Sequence, residues 1–219
     1  MGFIVAIDGP AGTGKGTISK LIAERLNYTY IDTGAMYRAI TVKILKNKIA
    51  LDDLDSIEHL LNTTTIDFDE KQKIILDGVD VSDEIRTQVV NETVSPVSAI
   101  KIIRAKLVEL QRKLGNTKNV VMEGRDITTV VFPNAELKIY LTATLEERAH
   151  RRYKEMIEKN MNITYEQVYN TIKARDDNDM HKEVGALKIA EDAIVIDSTH
   201  MSIEEVYDEI LKYIKMRGE

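Results

Sequence analysis

Gly9-Pro10-Ala11-Gly12-Thr13-Gly14-Lys15-Gly16-Thr17 is the stretch that decides how this chain is read. It follows an apolar run, Phe3 to Ile7, that reads as a buried parallel strand, and it precedes Ile18, Leu21, Ile22 and Leu26 at helical spacing. The loop therefore joins a strand end to a helix start. Its glycines let the backbone turn tightly and point N–H groups inward, and the helix N-terminus adds partial positive charge, so the loop can surround polyphosphate oxygens. Lys15 supplies a mobile cation for the phosphate that is transferred.

Set against G-x-x-x-x-G-K-[ST], the glycine and lysine spacing fits, but Gly16 follows Lys15 and the hydroxyl arrives one place later, at Thr17. This G-K-G-T form recurs in nucleoside monophosphate kinases.

The 219 residues, 43% of them hydrophobic, suffice for one substantial core or a core with a small insertion. A net charge of −6 argues against nucleic acid or an anionic membrane as the main partner, since both need a basic surface. The absence of cysteine removes disulfides, thiolate nucleophiles and cysteine metal sites, and suits a reducing cytoplasm. No apolar run approaches membrane-spanning length, and Ala6 stands where a myristoylation signal after Gly2 wants Ser or Thr. The expectation is a soluble cytoplasmic protein, and nothing demands an oligomer, so a monomer is expected.

Further along, Tyr28 to Asp32 reads as a second strand, ending in a polar turn, Thr33 to Arg38, before a helix from Ala39 to Leu45. Asp52 to Leu61 reads as a short helix capped by Asp53 or Asp55. From Thr64 to Val81 the period changes to three short strands, with Asp77-Gly78 as a hairpin turn. Ser98 to Leu114 reads as one long amphipathic helix. Asn119–Glu123, Leu137–Leu141 and Ala193–Asp197 complete five core strands. Thr144-Leu145-Glu146-Glu147, Thr164 to Gln167 and Ser202 to Glu205 open the remaining helices, the first two carrying Arg148/Arg151/Arg152 and Arg175. Strands alternating with helices predict an α/β fold: a doubly wound, five-stranded parallel sheet with a small antiparallel three-stranded insertion.

Phosphoryl transfer needs two reactants held in line and the moving charge neutralised. Arg38, Arg104, Arg125, the Arg148/Arg151/Arg152 cluster and Arg175 gather at strand ends and on loop-adjacent helices. The arginine fork suits phosphate because it donates two parallel hydrogen bonds. Arg175, Asp179 and Lys182 share one helical face, which suits either a surface ion-pair ladder or a strip for phosphate and ribose. The four histidines are scattered, and His150 reads as a polar helix-face residue. Mg²⁺ would arrive with the nucleotide, with the Thr17 hydroxyl a possible ligand.

Taken together, Gly9 to Thr17, Asp32 to Arg38, Asp83 to Thr87, Gly124-Arg125-Asp126 with Thr129 to Pro133, Glu147 to Arg152, and Arg175-Asp176-Asp177 closely resemble the bacterial cytidylate kinases. The likeness runs to Asp197-Ser198-Thr199, nearly the whole chain. It implies a nucleoside monophosphate kinase fold with a short lid, in which ATP phosphorylates CMP or dCMP. The implied units are a core of 1–32, 115–147 and 183–219, a monophosphate-binding part of 33–114 holding the insertion at about 63–85, and a lid with its flanking helices at about 148–182. Carried over by position, the resemblance implies that Gly9, Pro10, Ala11, Gly12, Thr13, Gly14, Lys15, Gly16 and Thr17 hold ATP phosphates. Arg38, Arg125 and Arg175 would grip the acceptor phosphate, with Lys182 beside them. Thr33, Ser95, Arg104 and Asp126 would surround cytosine, and Asp179 would bind ribose. Arg148, Arg151 and Arg152 would bring lid cations onto ATP.

The chain departs from the family pattern at three places: Thr128 stands where a glycine is usual, Lys182 where an arginine is, and Gly185-Ala186-Leu187 where Ala-Pro-Leu is. Two other functions remain open at this stage. A kinase for another small acceptor, such as UMP, would share the phosphate loop. A nucleotide-driven ATPase switch would have no use for a second basic pocket, and Asn116-Thr117-Lys118-Asn119 does not supply the Asn-Lys-x-Asp of a guanine switch.

Overall fold

The computed structural model describes residues 2–116 and 119–218, so Thr117 and Lys118 of the stretch compared with the guanine motif lie outside it. Five parallel strands form the central sheet in the order β2-β6-β1-β7-β8: β1 (Ile4–Asp8), β2 (Thr29–Asp32), β6 (Val120–Gly124), β7 (Leu137–Thr142) and β8 (Ile194–Asp197). Buried on both faces, β1 is apolar until its last residue. Ile4 and Ala6 face a layer that includes α2 (Thr33–Lys46), α4 (Gln88–Ala99) and α5 (Lys101–Gly115), while Val5 and Ile7 face α1 (Lys15–Leu26) and α8 (Ile203–Met216). This is the doubly wound arrangement that the alternation predicts.

The insertion forms a separate antiparallel sheet of β3 (Ile66–Phe68), β4 (Ile74–Leu76) and β5 (Val79–Asp80). Asp77 (φ 50°) and Gly78 (φ 81°) are both left-handed, as a two-residue hairpin turn requires. α3 (Leu54–Asn62) is capped by Asp53, whose carboxylate accepts from the Ser56 amide at 3.0 Å. α6 (Leu145–Glu158) and α7 (Tyr165–His181) pack on each other around Ala149, Val168 and Ile172, a small core separate from the main one. Among the described residues no helix is long and apolar enough to cross a membrane.

Three local expectations need correction. The turn expected over Thr33 to Arg38 is already helix, because the Asp32 carboxylate accepts the Ala35 amide at 2.9 Å and starts α2 at the strand's end. The helix expected from Ser98 is two, meeting at Ile100 (φ −71°, ψ 119°), and the first begins ten residues earlier than the expected start, at Gln88. Pro96 inside α4 and the β-branched residues around it concealed that helix. The box expected at Thr144 is half formed: Thr144 accepts from the Glu147 amide at 3.3 Å, but the Glu147 carboxylate pairs with Arg151 at 2.8 Å.

Candidate active site

The phosphate loop leaves β1 at the carboxyl end of the sheet, where open α/β sheets gather ligands. Gly9 (φ 152°) runs against β7, and a Cβ there would overlap the Leu141 carbonyl oxygen. Gly16 explains the departure from the usual loop: a Cβ would lie 2.9 Å from Glu123 Oε1, so the carboxylate at the end of β6 fills the space where a hydroxyl side chain would start. Lys15 is folded back, its Nζ donating to Pro10 O at 2.6 Å and Thr13 Oγ1 at 3.3 Å.

The cations of the site come from four elements, and their electrostatics place them together. Burial pushes the Lys15 ammonium down to about 7, with Arg125 and Arg175 adding to the fall and Glu123 opposing it. Burial likewise lowers Arg175 to about 9, with Arg125 and Arg38 next in weight. Arg38 is lowered by burial, then by Arg86 and Arg125 against the pull of Asp32, and its buried Nε has no hydrogen-bond partner among the described residues. Arg125 is raised despite its burial, because Asp179 pairs with it, so the four cations are a buried gathering of positive charge whose chemistry suits anionic oxygens.

Asp179 sits among them on α7. Its Oδ2 accepts from Arg125 Nε at 2.8 Å, its Oδ1 from Lys182 Nζ at 2.8 Å, and Arg175 Nε stands 4.0 Å away. Burial opposes its ionisation, but Arg125 and Lys182 hold the carboxyl down at about 2. Asp179 and Lys182 thus form a buried network with Arg125, and the half-exposed Arg175 stands at its edge, so the face is not a surface ladder. Lys182 also donates to Ser98 Oγ at 3.1 Å, and Ser98 Oγ donates to Ser95 O at 2.8 Å.

Beyond the cations lies a buried ion pair, Arg104 with Asp126, each side chain only 7% exposed. Arg104 stands over the Tyr37 ring at 5.7 Å and donates to Ser98 O at 3.3 Å. Burial raises Asp126 to about 6 against the opposing pull of Arg104. Thr33 stands beside the end of β6, its hydroxyl donating to Glu123 O at 2.7 Å.

At the glycine loop, Arg148 donates to Ala143 O at 3.0 Å and Ala11 O at 2.9 Å and pairs with Asp176, whose Oδ1 accepts the Ala11 amide at 3.3 Å. α6 and α7 are thereby pinned to the phosphate loop. Arg151 reaches Ser198 O at 2.6 Å, whereas Arg152 is engaged with Glu155 at 2.7 Å on its own helix. Asp8, Glu123, Asp176 and Ser98 escaped the reading of the sequence. Glu123 had a signal, as the acid closing a core strand, and Asp176 lay inside a quoted motif; Asp8 had only its place before the first loop glycine.

A family model described as Cytidylate kinase matches residues 5–216. The chain belongs to the cytidylate kinase family. It is 53% identical to the cytidylate kinase of Fusobacterium nucleatum over 97% of both chains. It is 44% identical to that of Bacillus subtilis over 98% of this chain and 97% of that one. A crystal structure of an uncharacterized protein from Eubacterium ventriosum shares the fold, with a TM-score of 0.52 at 15% identity, covering 99% of each chain. Within a cytidylate kinase framework the three departures have a structural place. Thr128 donates its hydroxyl to Asp8, Lys182 bridges Asp179 and Ser98, and Gly185 (φ 68°) lies so close to Arg104 that a Cβ would overlap the guanidinium.

Proposed function

We infer that this chain transfers the terminal phosphoryl group of ATP to CMP, giving ADP and CDP, and that dCMP serves as a second acceptor. The observation that carries the reading is the gathering of Lys15, Arg38 and Arg175, each lowered by burial and by neighbouring cations, around the Asp179-paired Arg125, with the buried Arg104–Asp126 pair beyond it. The first suits phosphates from two substrates. The second suits cytosine, whose exocyclic amine donates and whose ring nitrogen accepts.

In this reading the phosphate loop, Gly9 to Thr17, cradles ATP, and Lys15 leaves Pro10 O to meet the transferred group. Arg38, Arg125 and Arg175 hold the acceptor phosphate, and its nucleophilic oxygen needs no general base, being ionised near neutral pH. Asp179 orients Arg125 and accepts from ribose. Thr33 and Ser95 line the base, with Asp126 accepting from its amine. Thr17, and Glu123 packed against Gly16, would hold the Mg²⁺ that accompanies ATP, and this donor set fits an ion that takes one or two protein ligands and keeps phosphate and water for the rest. The ion supplies charge neutralisation on the phosphates.

Residues 33–114 act as the acceptor-binding part and 148–182 as the lid. Arg148 ties that lid to the loop, Arg151 organises the loop at Ser198, and Arg152 exchanges Glu155 for phosphate on closure. The reading takes the enzyme as a monomer, since it calls on no residue outside this chain. The test is ADP release with ATP and Mg²⁺ and each of CMP, dCMP, UMP and AMP: strong dependence on CMP and dCMP supports the reading, and acceptor-independent release refutes it.

A further inference from the structure

The carboxylate of Asp8 is fully buried at the end of β1, one residue before the phosphate loop begins. It is closed to solvent and, among the described residues, meets no cation at hydrogen-bond distance. Its Oδ1 accepts the Ile127 amide at 3.0 Å, and its Oδ2 accepts both the Thr128 amide at 2.7 Å and the Thr128 hydroxyl at 2.6 Å. These three donors open a wide five-residue helical turn, Ile127–Val131, whose amides at Val130 and Val131 close back on Asp126 O at 2.8 and 3.2 Å. Asp126 and Arg125 immediately precede that turn, so their position is set by where the turn is anchored. Asp8 itself cannot drift, because it is paired in the sheet with Gly124 on one side and Tyr140 on the other.

We propose that Asp8 and Thr128 form a clamp that fixes the acceptor loop carrying Arg125 and Asp126 to the root of the phosphate loop, and so sets the distance between acceptor and donor sites. Both are positioning residues, since neither is placed on substrate. The proposal rests on the reading of Arg125 and Asp126 as acceptor-binding groups. The Thr128 hydroxyl is the part of the clamp that only the side chain supplies, because any residue at 128 other than proline would supply the amide. A hydrogen bond to a buried carboxylate is among the stronger ones, and a methyl group in the hydroxyl's place needs about 3.5 Å from Oδ2 rather than the 2.6 Å observed. The loop must then shift by close to an ångström, a displacement of the size that costs about 10²-fold when it misplaces reacting groups.

The test compares wild type with Thr128→Val, Thr128→Ser and Thr128→Gly, measuring KM for CMP and for ATP, the CMP to UMP ratio of kcat/KM, and Tm. Wild-type turnover on CMP establishes the underlying reading first. Its absence would remove that reading without bearing on the clamp's geometry. The clamp predicts that Thr128→Val raises KM for CMP about tenfold or more and narrows the CMP to UMP ratio while KM for ATP stays within about twofold. Thr128→Ser restores both, and Thr128→Gly, which loses the bond without adding the clash, falls between. Unchanged CMP parameters in Thr128→Val, or a rise in KM for ATP and CMP together that follows the fall in Tm across the series, would overturn it. Should Thr128→Val fail to fold, Thr128→Gly gives the same split or refutes it.

Discussion

Removing the Asp126 carboxylate tests base recognition at the point where the structure makes it most costly. Asp126 and Arg104 are each 7% exposed at the side chain, so water screens their interaction little. A hydrogen bond to a charged group contributes about 1.5–3 kcal/mol, which corresponds to about 10- to 150-fold in kcat/KM at 1.4 kcal/mol per tenfold. Asp126→Ala should therefore lower kcat/KM for CMP by about 10²-fold and barely alter it for UMP, whose base presents a carbonyl where cytosine presents an amine. The same change strips Arg104 of its buried partner, which costs about 3–5 kcal/mol of stability and about 10 °C in Tm for a chain of this size. Kinetics are accordingly run well below the variant's Tm, by coupled ADP release at saturating ATP. Asp126→Asn separates the two effects: it keeps an acceptor oxygen near Arg104 while its amide can donate to uracil, so it should move preference toward UMP. Equal losses on CMP and UMP in both variants would refute the role given to Asp126.

Lys15→Met should leave Tm close to wild type or higher, because it removes a buried and destabilised cation, while turnover falls by about 10³-fold, as measured at saturating CMP. ATP binding should take up protons near pH 7 and weaken above it, since phosphate raises a Lys15 ammonium that stands at about 7 in the free protein; calorimetry in buffers of different ionisation enthalpy reads the uptake. With Asp126 at about 6, falling pH protonates the group proposed to accept from cytosine. KM for CMP should then rise below pH 6, one proton more steeply than in Asp126→Asn, where only the CMP phosphate titrates. Asp176→Ala should loosen α6 and α7 from the phosphate loop and raise acceptor-independent ATP hydrolysis several-fold, because Arg148 and the Ala11 amide lose their shared carboxylate.

The sheet was legible because strand, glycine loop and helix follow one another without a break, and because period-2 runs bounded by Asp77-Gly78 announce a hairpin. α4 was not, since Pro96 and a run of β-branched residues mimic a non-helical stretch and only packing of Val90, Val94 and Val97 against the core overrides that preference. The phosphate loop and the arginines could be picked out by residue type and spacing. The acids that support them could not: Asp8, Glu123 and Asp176 are ordinary acids in sequence, and they matter because the fold brings them 119, 107 and 165 residues across the chain to Ile127, Gly16 and Ala11. Thr128 shows the same limit, for its partner lies 120 residues away.

The central claim is that the cation cluster serves a second nucleotide and not ATP alone. Coupled ADP release at fixed ATP and Mg²⁺, with CMP, dCMP, UMP, AMP or no acceptor, measures it directly. The account predicts release that is strong with CMP and dCMP, weak with UMP and AMP, and near background without an acceptor. Release at the same rate in all five would contradict it and leave an ATPase with no acceptor site.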